Sequence, residues 1–304
     1  MYVNILGSAA GGGFPQWNCA CRNCRALRNG SFQGKPRTQL QVAISSDAES
    51  WFLLNVSPDI RYQIEANPFL HPHDGLRHTP IAGIVLTSPD LDQVLGLLLL
   101  REFQPLRIYA TASVLRILRE DNIFFGVLNR VPDQSVWVDV LPGRAFALDP
   151  SSKLQCYPIS LETRYPAYVS RARVTELAAS EALLGLMIED GRRRLAYFPA
   201  VPDVNAALLG TLANADVILF DGTFWSNDEL IQVRGGGPTA REIGHIPVSG
   251  PDGTLTRLAS LTRARKIYVH INNTNPMLDE SGPEYQQVRD AGWEIAEDGW
   301  QLNL

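Results

Sequence analysis

Long apolar runs are missing from this 304-residue chain, and no stretch approaches the roughly 18 apolar residues that a membrane-spanning helix needs. The first residues, Met1-Tyr2-Val3-Asn4-Ile5-Leu6-Gly7, carry neither a basic n-region nor an apolar h-region. No signal peptide is expected, and a cytoplasmic protein is the default. Basic charge is not in excess: 27 Lys and Arg against 32 Asp and Glu leave a net charge of −5. That balance favours solubility and argues against general nucleic-acid or acidic-membrane binding. Low-complexity segments, repeats of about 20–50 residues and long Pro/Ser linkers are also lacking, which excludes repeat arrays. Cysteine is scarce, and three of the four fall within residues 19–24. Such crowding suits a metal or redox site better than a scaffold of bridges. What is present is a globular mixture, 45% hydrophobic and 19% charged. A chain of this length buries about three quarters of its unfolded surface, so it needs no disulfide or metal merely to fold.

One local pattern recurs. Short β-branched runs stop abruptly at polar residues of ligand type. Val3-Asn4-Ile5-Leu6 ends at Gly7-Ser8, and Phe52-Leu53-Leu54-Asn55-Val56 ends at Ser57-Pro58-Asp59. Ile84-Val85-Leu86-Thr87-Ser88 runs into Pro89-Asp90-Leu91-Asp92. Val217-Ile218-Leu219-Phe220 ends at Asp221-Gly222-Thr223, and Ile267-Tyr268-Val269 ends at His270-Ile271-Asn272-Asn273. These read as strands buried on both faces, whose C-terminal ends would share one rim if all point the same way. Helices are expected over residues 94–103, 110–120 and 202–213, strands and loops over 136–196, and a loop with a short helix over 162–181. Strands outnumber helices, which suggests stacked sheets with outer helices.

Cys19-Ala20-Cys21-Arg22-Asn23-Cys24 places three thiolates where they can hold one tetrahedral zinc, with a fourth ligand from elsewhere. Such a closed site is structural, whereas Cys156 stands alone in a strand-like run and reads as core. Gly7-Ser8-Ala9-Ala10-Gly11-Gly12-Gly13 lacks the spacing of a phosphate loop and reads as a turn needing positive φ. Asp90 and Asp92 directly follow a strand. With Asp221 and His270 at other strand ends, they could hold a divalent metal with open positions, though such a pair alone is more often a helix cap. His71, His73 and His78 fit a surface loop. His245, in a Gly-flanked loop, suits either a substrate contact or loop packing.

Together these motifs resemble the pyrroloquinoline quinone (PQQ) biosynthesis protein B (PqqB) family. The resemblance rests on Gly7 to Gly13 with Pro15-Gln16-Trp17-Asn18-Cys19, on Asn55-Val56-Ser57-Pro58-Asp59-Ile60-Arg61, and on Gly96-Leu97-Leu98-Leu99-Leu100-Arg101-Glu102. It continues through Asp221-Gly222-Thr223, Gly244-His245-Ile246 and His270-Ile271-Asn272-Asn273-Thr274-Asn275-Pro276, in the family's order along the whole chain. The resemblance implies an α/β (α+β) metallo-β-lactamase-like αββα sandwich, two mixed β-sheets flanked by helices, in a single domain over 1–304 with the zinc loop at about 15–30. It also implies that the superfamily's H-x-H-x-D-H slots read Ser88-Pro89-Asp90-Leu91-Asp92-Gln93 here. Asp92 and Asp221 then match the two aspartates and His270 the final histidine. Relatives usually carry histidine where Gln93 stands, and an amide oxygen is a poorer ligand for iron or zinc. The structural zinc's fourth ligand in related phosphodiesterases lies three residues beyond that histidine, at Asn273 here.

The implied activity is an iron- and O2-dependent hydroxylation of the tyrosine ring of a cross-linked Glu–Tyr precursor of PQQ. Asp90, Asp92, Asp221 and His270 would serve the active-site Fe(II). Arg61, Arg101, Arg241 and His245 are candidate contacts for a polyacid, peptide-derived precursor. The alternative is a non-catalytic carrier for PQQ or its precursor in transport toward the periplasm, which the Gln93 departure keeps open. A zinc hydrolase is disfavoured because Ser88 and Asp90 occupy two histidine slots. Partners to be considered are other proteins of the pathway and a second copy of the chain in a homodimer, with no nucleic acid and no membrane insertion.

Overall fold

The five apolar runs that stop at polar residues all become strands. The computed structural model describes residues 1–148 and 153–304. Its strands are β1 (Tyr2–Gly7), β2 (Gln41–Ser45), β3 (Trp51–Leu54), β4 (Ile81–Val85), β5 (Leu106–Ala110), β6 (Ser135–Asp139) and β7 (Phe146–Ala147). They continue with β8 (Gln155–Ser160), β9 (Leu184–Glu189), β10 (Arg194–Phe198), β11 (Val217–Asp221), β12 (Arg265–Val269), β13 (Trp293–Ile295) and β14 (Trp300–Asn303). Two mixed β-sheets flanked by helices result, as the resemblance implies. The chain divides into two compact units, one of Met1–Leu6, Gln41–Arg193 and Gly299–Leu304, the other of Gly7–Leu40 and Arg194–Asp298. Among the described residues no helix is long and apolar enough to cross a membrane.

In the first unit the strand order is β14-β1-β2-β3-β4-β5-β6. Strands β3 to β6 run parallel, while β2 opposes β3 and β14 opposes β1. Parallel strands need cover on both faces, and Leu53, Leu54, Ile84, Val85 and Ile108 are all fully buried. Ile117 and Leu118, on the helix Ala112–Arg119, join the same core. The Thr111 side chain starts that helix by accepting the Val114 N–H.

The helix expected over 94–103 is broken into an α turn (Leu91–Val94) and a 3-10 run (Leu95–Leu100). Its breaker is Gly96, whose N–H donates to Val56 O at 3.1 Å. A Cβ there would lie 2.2 Å from Ser57 O and 2.5 Å from Val56 Cγ1. Over 162–181 the chain makes one short helix (Arg171–Val174) and a 3-10 turn (Ala179–Glu181). Tyr168 OH in this stretch donates to Pro89 O at 2.5 Å, which lays it over the Asp90 turn.

In the second unit β10, β11, β12 and β13 are all parallel. The register sets Asp221 beside Val269, so Asp221 and His270 emerge at the same strand ends. The helix Ala206–Leu212 begins at Asn205, whose side chain accepts the Leu208 N–H at 2.8 Å. Gly12 and Gly13 take positive φ, +95° and +69°, which makes the N-terminal glycine run a turn. Beyond it the Ile271 N–H donates to Ser8 O at 3.0 Å, tying this loop to the segment after β12.

Candidate functional site

At the C-terminal ends of β11 and β12 a buried carboxylate meets two imidazoles. Asp221 Oδ2 accepts from Val201 N–H and from His245 Nδ1, each at 2.8 Å. Its Oδ1 accepts from Thr223 N–H at 3.0 Å and from Thr223 Oγ1 at 2.7 Å. Four donors offset the desolvation of a carboxylate that is wholly inaccessible to solvent. Thr223 Oγ1 also lies 2.8 Å from His270 Nδ1. A hydroxyl has one proton, and here it goes to Asp221. The His270 contact therefore requires the ring to donate from Nδ1–H, leaving its lone pair on Nε2. By the same argument the His245 lone pair sits on Nε2. The two rings stack at 5.3 Å with 20° between their planes, and Phe224 packs edge-on against His245 at 5.8 Å.

The backbone aims these groups. His270 adopts φ +57°, a left-handed conformation that costs a non-glycine residue on the order of 1 kcal/mol and turns the imidazole off the strand. Gly222 allows the close approach of β11 to β12, since a Cβ there would meet Tyr268 Cβ at 2.8 Å and Met277 Cε at 2.9 Å. Ligand atoms of Asp221, His245 and His270 lie within 4.8 Å of one another. One carboxylate with two imidazoles is a donor set that fits a divalent iron or zinc ion.

The second cluster is Cys19, Cys21 and Cys24, whose sulfurs likewise lie within 4.8 Å of one another. The Asn273 amide enters among them, its Nδ2 at 3.1, 3.6 and 3.2 Å from the three sulfurs. An amide presents oxygen instead of nitrogen by a half-turn, so three sulfurs and Asn273 Oδ1 make a donor set that fits zinc. Cys24 lies on the helix Arg22–Arg28, and the Arg28 guanidinium reaches back to Cys19 O and Gln16 O to close the loop. Burial opposes ionisation of Cys19, but hydrogen bonds led by the Cys21 N–H outweigh it and hold that thiol below its usual range. Burial pushes the Cys21 thiol up to about 11. Cys156 is fully buried in β8, as expected of core.

Between the clusters runs the segment 270–275. Asn23 Nδ2 donates to Asn273 O at 3.2 Å and to Asn275 O at 2.9 Å. Asn275 Nδ2 donates to Gly222 O at 3.0 Å. Thr274 Oγ1 donates to the buried Glu229, whose other oxygen accepts the Trp225 N–H at 2.6 Å. Burial pushes the Glu229 carboxyl up to about 7, against the pull of these hydrogen bonds.

The remaining expected residues divide between the units. Asp90, Asp92 and Gln93 belong to the first unit. There Ser88 Oγ donates to Asp90 Oδ2 at 2.6 Å, and Gln93 Oε1 accepts from Thr87 Oγ1 at 2.7 Å. Ser88 Oγ lies 3.3 Å from the same amide oxygen, and Asn55 Nδ2 donates to Thr87 Oγ1 at 2.9 Å. Gln93 thus closes a buried hydroxyl–amide network. Arg61 is exposed on the helix Ile60–Glu65, and Arg101 Nη1 donates to Leu98 O at 3.2 Å. Arg241 donates to Asp252 O at 3.0 Å and pairs with Asp203 at 3.6 Å. Sequence reasoning passed over Thr223 and Glu229. A hydroxyl two residues beyond a strand-end carboxylate is a usable signal for Thr223. Glu229 follows Asn227 and Asp228 in a polar run and carries no such signal.

A Beta-lactamase superfamily domain matches residues 50–271. The Coenzyme PQQ synthesis protein B of Methylorubrum extorquens (strain AM1) is 42% identical over 308 residues, covering 100% of both chains. That of Xanthomonas euvesicatoria pv. vesicatoria is 41% identical over 309 residues, again covering 100% of both. Among solved structures, Zn(2+)-bound PqqB from Methylobacterium extorquens superposes with a TM-score of 0.93 at 42% identity, covering 100% of each chain. A diphosphatase of the PhnP family shares the fold alone, with a TM-score of 0.68 at 20% identity, covering 100% of this chain and 97% of its own.

Proposed function

The chain belongs to the Coenzyme PQQ synthesis protein B family, with the metallo-β-lactamase fold, and from that premise we propose that it hydroxylates the tyrosine ring of a cross-linked Glu–Tyr precursor of PQQ. One observation carries the reading: a buried carboxylate and two imidazoles whose ligand atoms lie within 4.8 Å of one another. A 2-His-1-carboxylate composition suits non-haem Fe(II) oxygenases. Asp221, His245 and His270 would hold the iron, which when bound supplies the activation of O2. In balance, a ring C–H becomes C–OH with one oxygen atom. The other leaves as water, with two electrons from an added reductant.

The chain's own residues then orient and move protons. Asp221 and Thr223 hold both rings through Nδ1, which sets the ring planes at the rim. Metal competes with protons for these donors, so binding weakens as pH falls. The thiolates of Cys19, Cys21 and Cys24 with Asn273 would hold a structural zinc, which is consistent with the zinc named for the solved relative.

The carrier reading draws on Gln93, whose side-chain oxygen accepts from the Thr87 hydroxyl at a slot where the family resemblance implies an imidazole. The deciding experiment incubates iron-loaded protein, precursor and reductant under isotopically labelled O2. Hydroxylation predicts a product heavier by one labelled oxygen, absent under argon and absent with Asp221→Ala. Stoichiometric precursor binding without oxygen incorporation refutes it and supports the carrier.

A further inference from the structure

We propose that the buried Glu229–Thr274 pair is a positioning device that locks segment 270–275, so that the thiolate cluster and the Asp221–His245–His270 cluster bind metal cooperatively. This rests on the reading above that the second cluster takes a metal. The segment belongs to both clusters. His270 opens it, and the Asn273 side chain lies among the three sulfurs only three residues on. Three residues span at most about 11 Å. A displacement of one end reaches the other unless the chain between them yields.

Clamps come from both sides. Asn23, on the helix that carries Cys24, holds the carbonyls of Asn273 and Asn275. Thr223, which carries the Asp221 and His270 hydrogen bonds, accepts the Asn272 N–H at 3.1 Å through its carbonyl. At the centre Asn272 Nδ2 donates to Thr274 Oγ1 at 2.5 Å, and Thr274 in turn donates to Glu229. Glu229 sits on another element, the helix Glu229–Arg234, and is only 5% exposed. A carboxyl this buried is costly unless hydrogen-bonded. Here both its oxygens are spent on fixing backbone and side chain around residue 273. Metal in either cluster fixes one end of this locked segment, and the lock carries that placement to the other end, so the second metal meets donors already in position; by linkage the effect is reciprocal.

The probe is Mn(II), a hard ion that thiolates disfavour, titrated calorimetrically into full-length protein. The titration is run with the cysteine cluster zinc-filled and again after chelation. In the wild type, zinc filling is expected to tighten Mn(II) binding about tenfold, within the usual range of coupling. Thr274→Val, which is isosteric, is expected to bring that ratio close to one, whereas Thr274→Ser keeps it. Glu229→Gln lowers the ratio in the same direction and serves as the test should the valine variant not fold. A wild-type ratio near one, or a tenfold ratio that survives in both Thr274→Val and Glu229→Gln, overturns this inference alone. A wild type that binds no Mn(II) or Fe(II) beyond the thiolates overturns it together with the oxygenase reading.

Discussion

The Thr223→Val substitution keeps the shape of the side chain and removes one hydroxyl. That hydroxyl lies 2.7 Å from Asp221 Oδ1 and 2.8 Å from His270 Nδ1, and the residue is 3% exposed. Its loss takes one of four donors from a buried carboxylate and leaves the His270 Nδ1–H facing a methyl group. A hydrogen bond to a charged group contributes about 1.5–3 kcal/mol, and a stranded buried donor costs about 1–3 kcal/mol. The two overlap because one atom serves both, so about 3 kcal/mol is expected in all. At about 2.1 cal/mol/K of unfolding entropy per residue, that lowers the melting temperature of a 304-residue chain by about 5 °C. The measurement is a thermal and urea unfolding series in chelator, which isolates the hydrogen bonds from any metal. Manganese affinity of the zinc-filled protein should fall about 10–100-fold, since the imidazole loses the partner that orients it. Thr223→Ser should restore most of both. A valine variant within about 0.5 kcal/mol of the wild type, with unchanged metal affinity, would mean that Thr223 merely fills space.

Cys21→Ser is expected to remove one bound zinc and several kcal/mol of stability, because structural metal binding is folding energy; metal analysis with a melting curve checks it, and full zinc at an unchanged midpoint counts against it. Gly96→Ala drives a methyl group to within 2.2 Å of Ser57 O, backbone that cannot swing aside, and should cost about 1–3 kcal/mol or more in urea unfolding. Glu229 titrates near 7 in the fold against an ordinary 4.5, so its protonated form is the favoured one. Its contribution is fully present below pH 4.5 and is lost as pH rises through 7, a swing of about 3 kcal/mol. Relative to the wild type, Glu229→Gln should therefore gain stability between pH 4 and pH 8, and a flat difference across that range contradicts the assignment.

How far the sequence could be read depends on the reach of each interaction. Continuous apolar runs report burial on both faces, and β1, β3, β4, β11 and β12 lie where those runs stand. Apolar content over 94–103 does not report that Gly96 abuts Val56 and Ser57, some forty residues away, so the sequence reads as one long helix where two short pieces form. The cysteine triplet is legible because its spacing is local. Asn273 enters that cluster from 249 residues beyond Cys24, and only family resemblance pointed to it. Its Gly-flanked loop lets His245 read as a substrate contact or as loop packing, and nothing local reports that its Nδ1 meets Asp221, 24 residues back. Thr223 with His270 and Glu229 with Thr274 are partners 47 and 45 residues apart. No periodicity or local spacing encodes such pairs.

The 249-position separation of Cys24 and Asn273 also sets a clock on the ribosome. At about 5–20 residues per second, the three thiols leave the exit tunnel roughly 10–50 s before the amide proposed as their fourth partner exists. During that interval the nascent chain offers an incomplete, accessible thiol triplet to whatever zinc, copper or oxidant it meets. Correct loading is then a matter of timing as well as affinity. A cell short of zinc, or one growing under oxidative stress, would show the defect first in newly made chains, while protein folded earlier stayed sound.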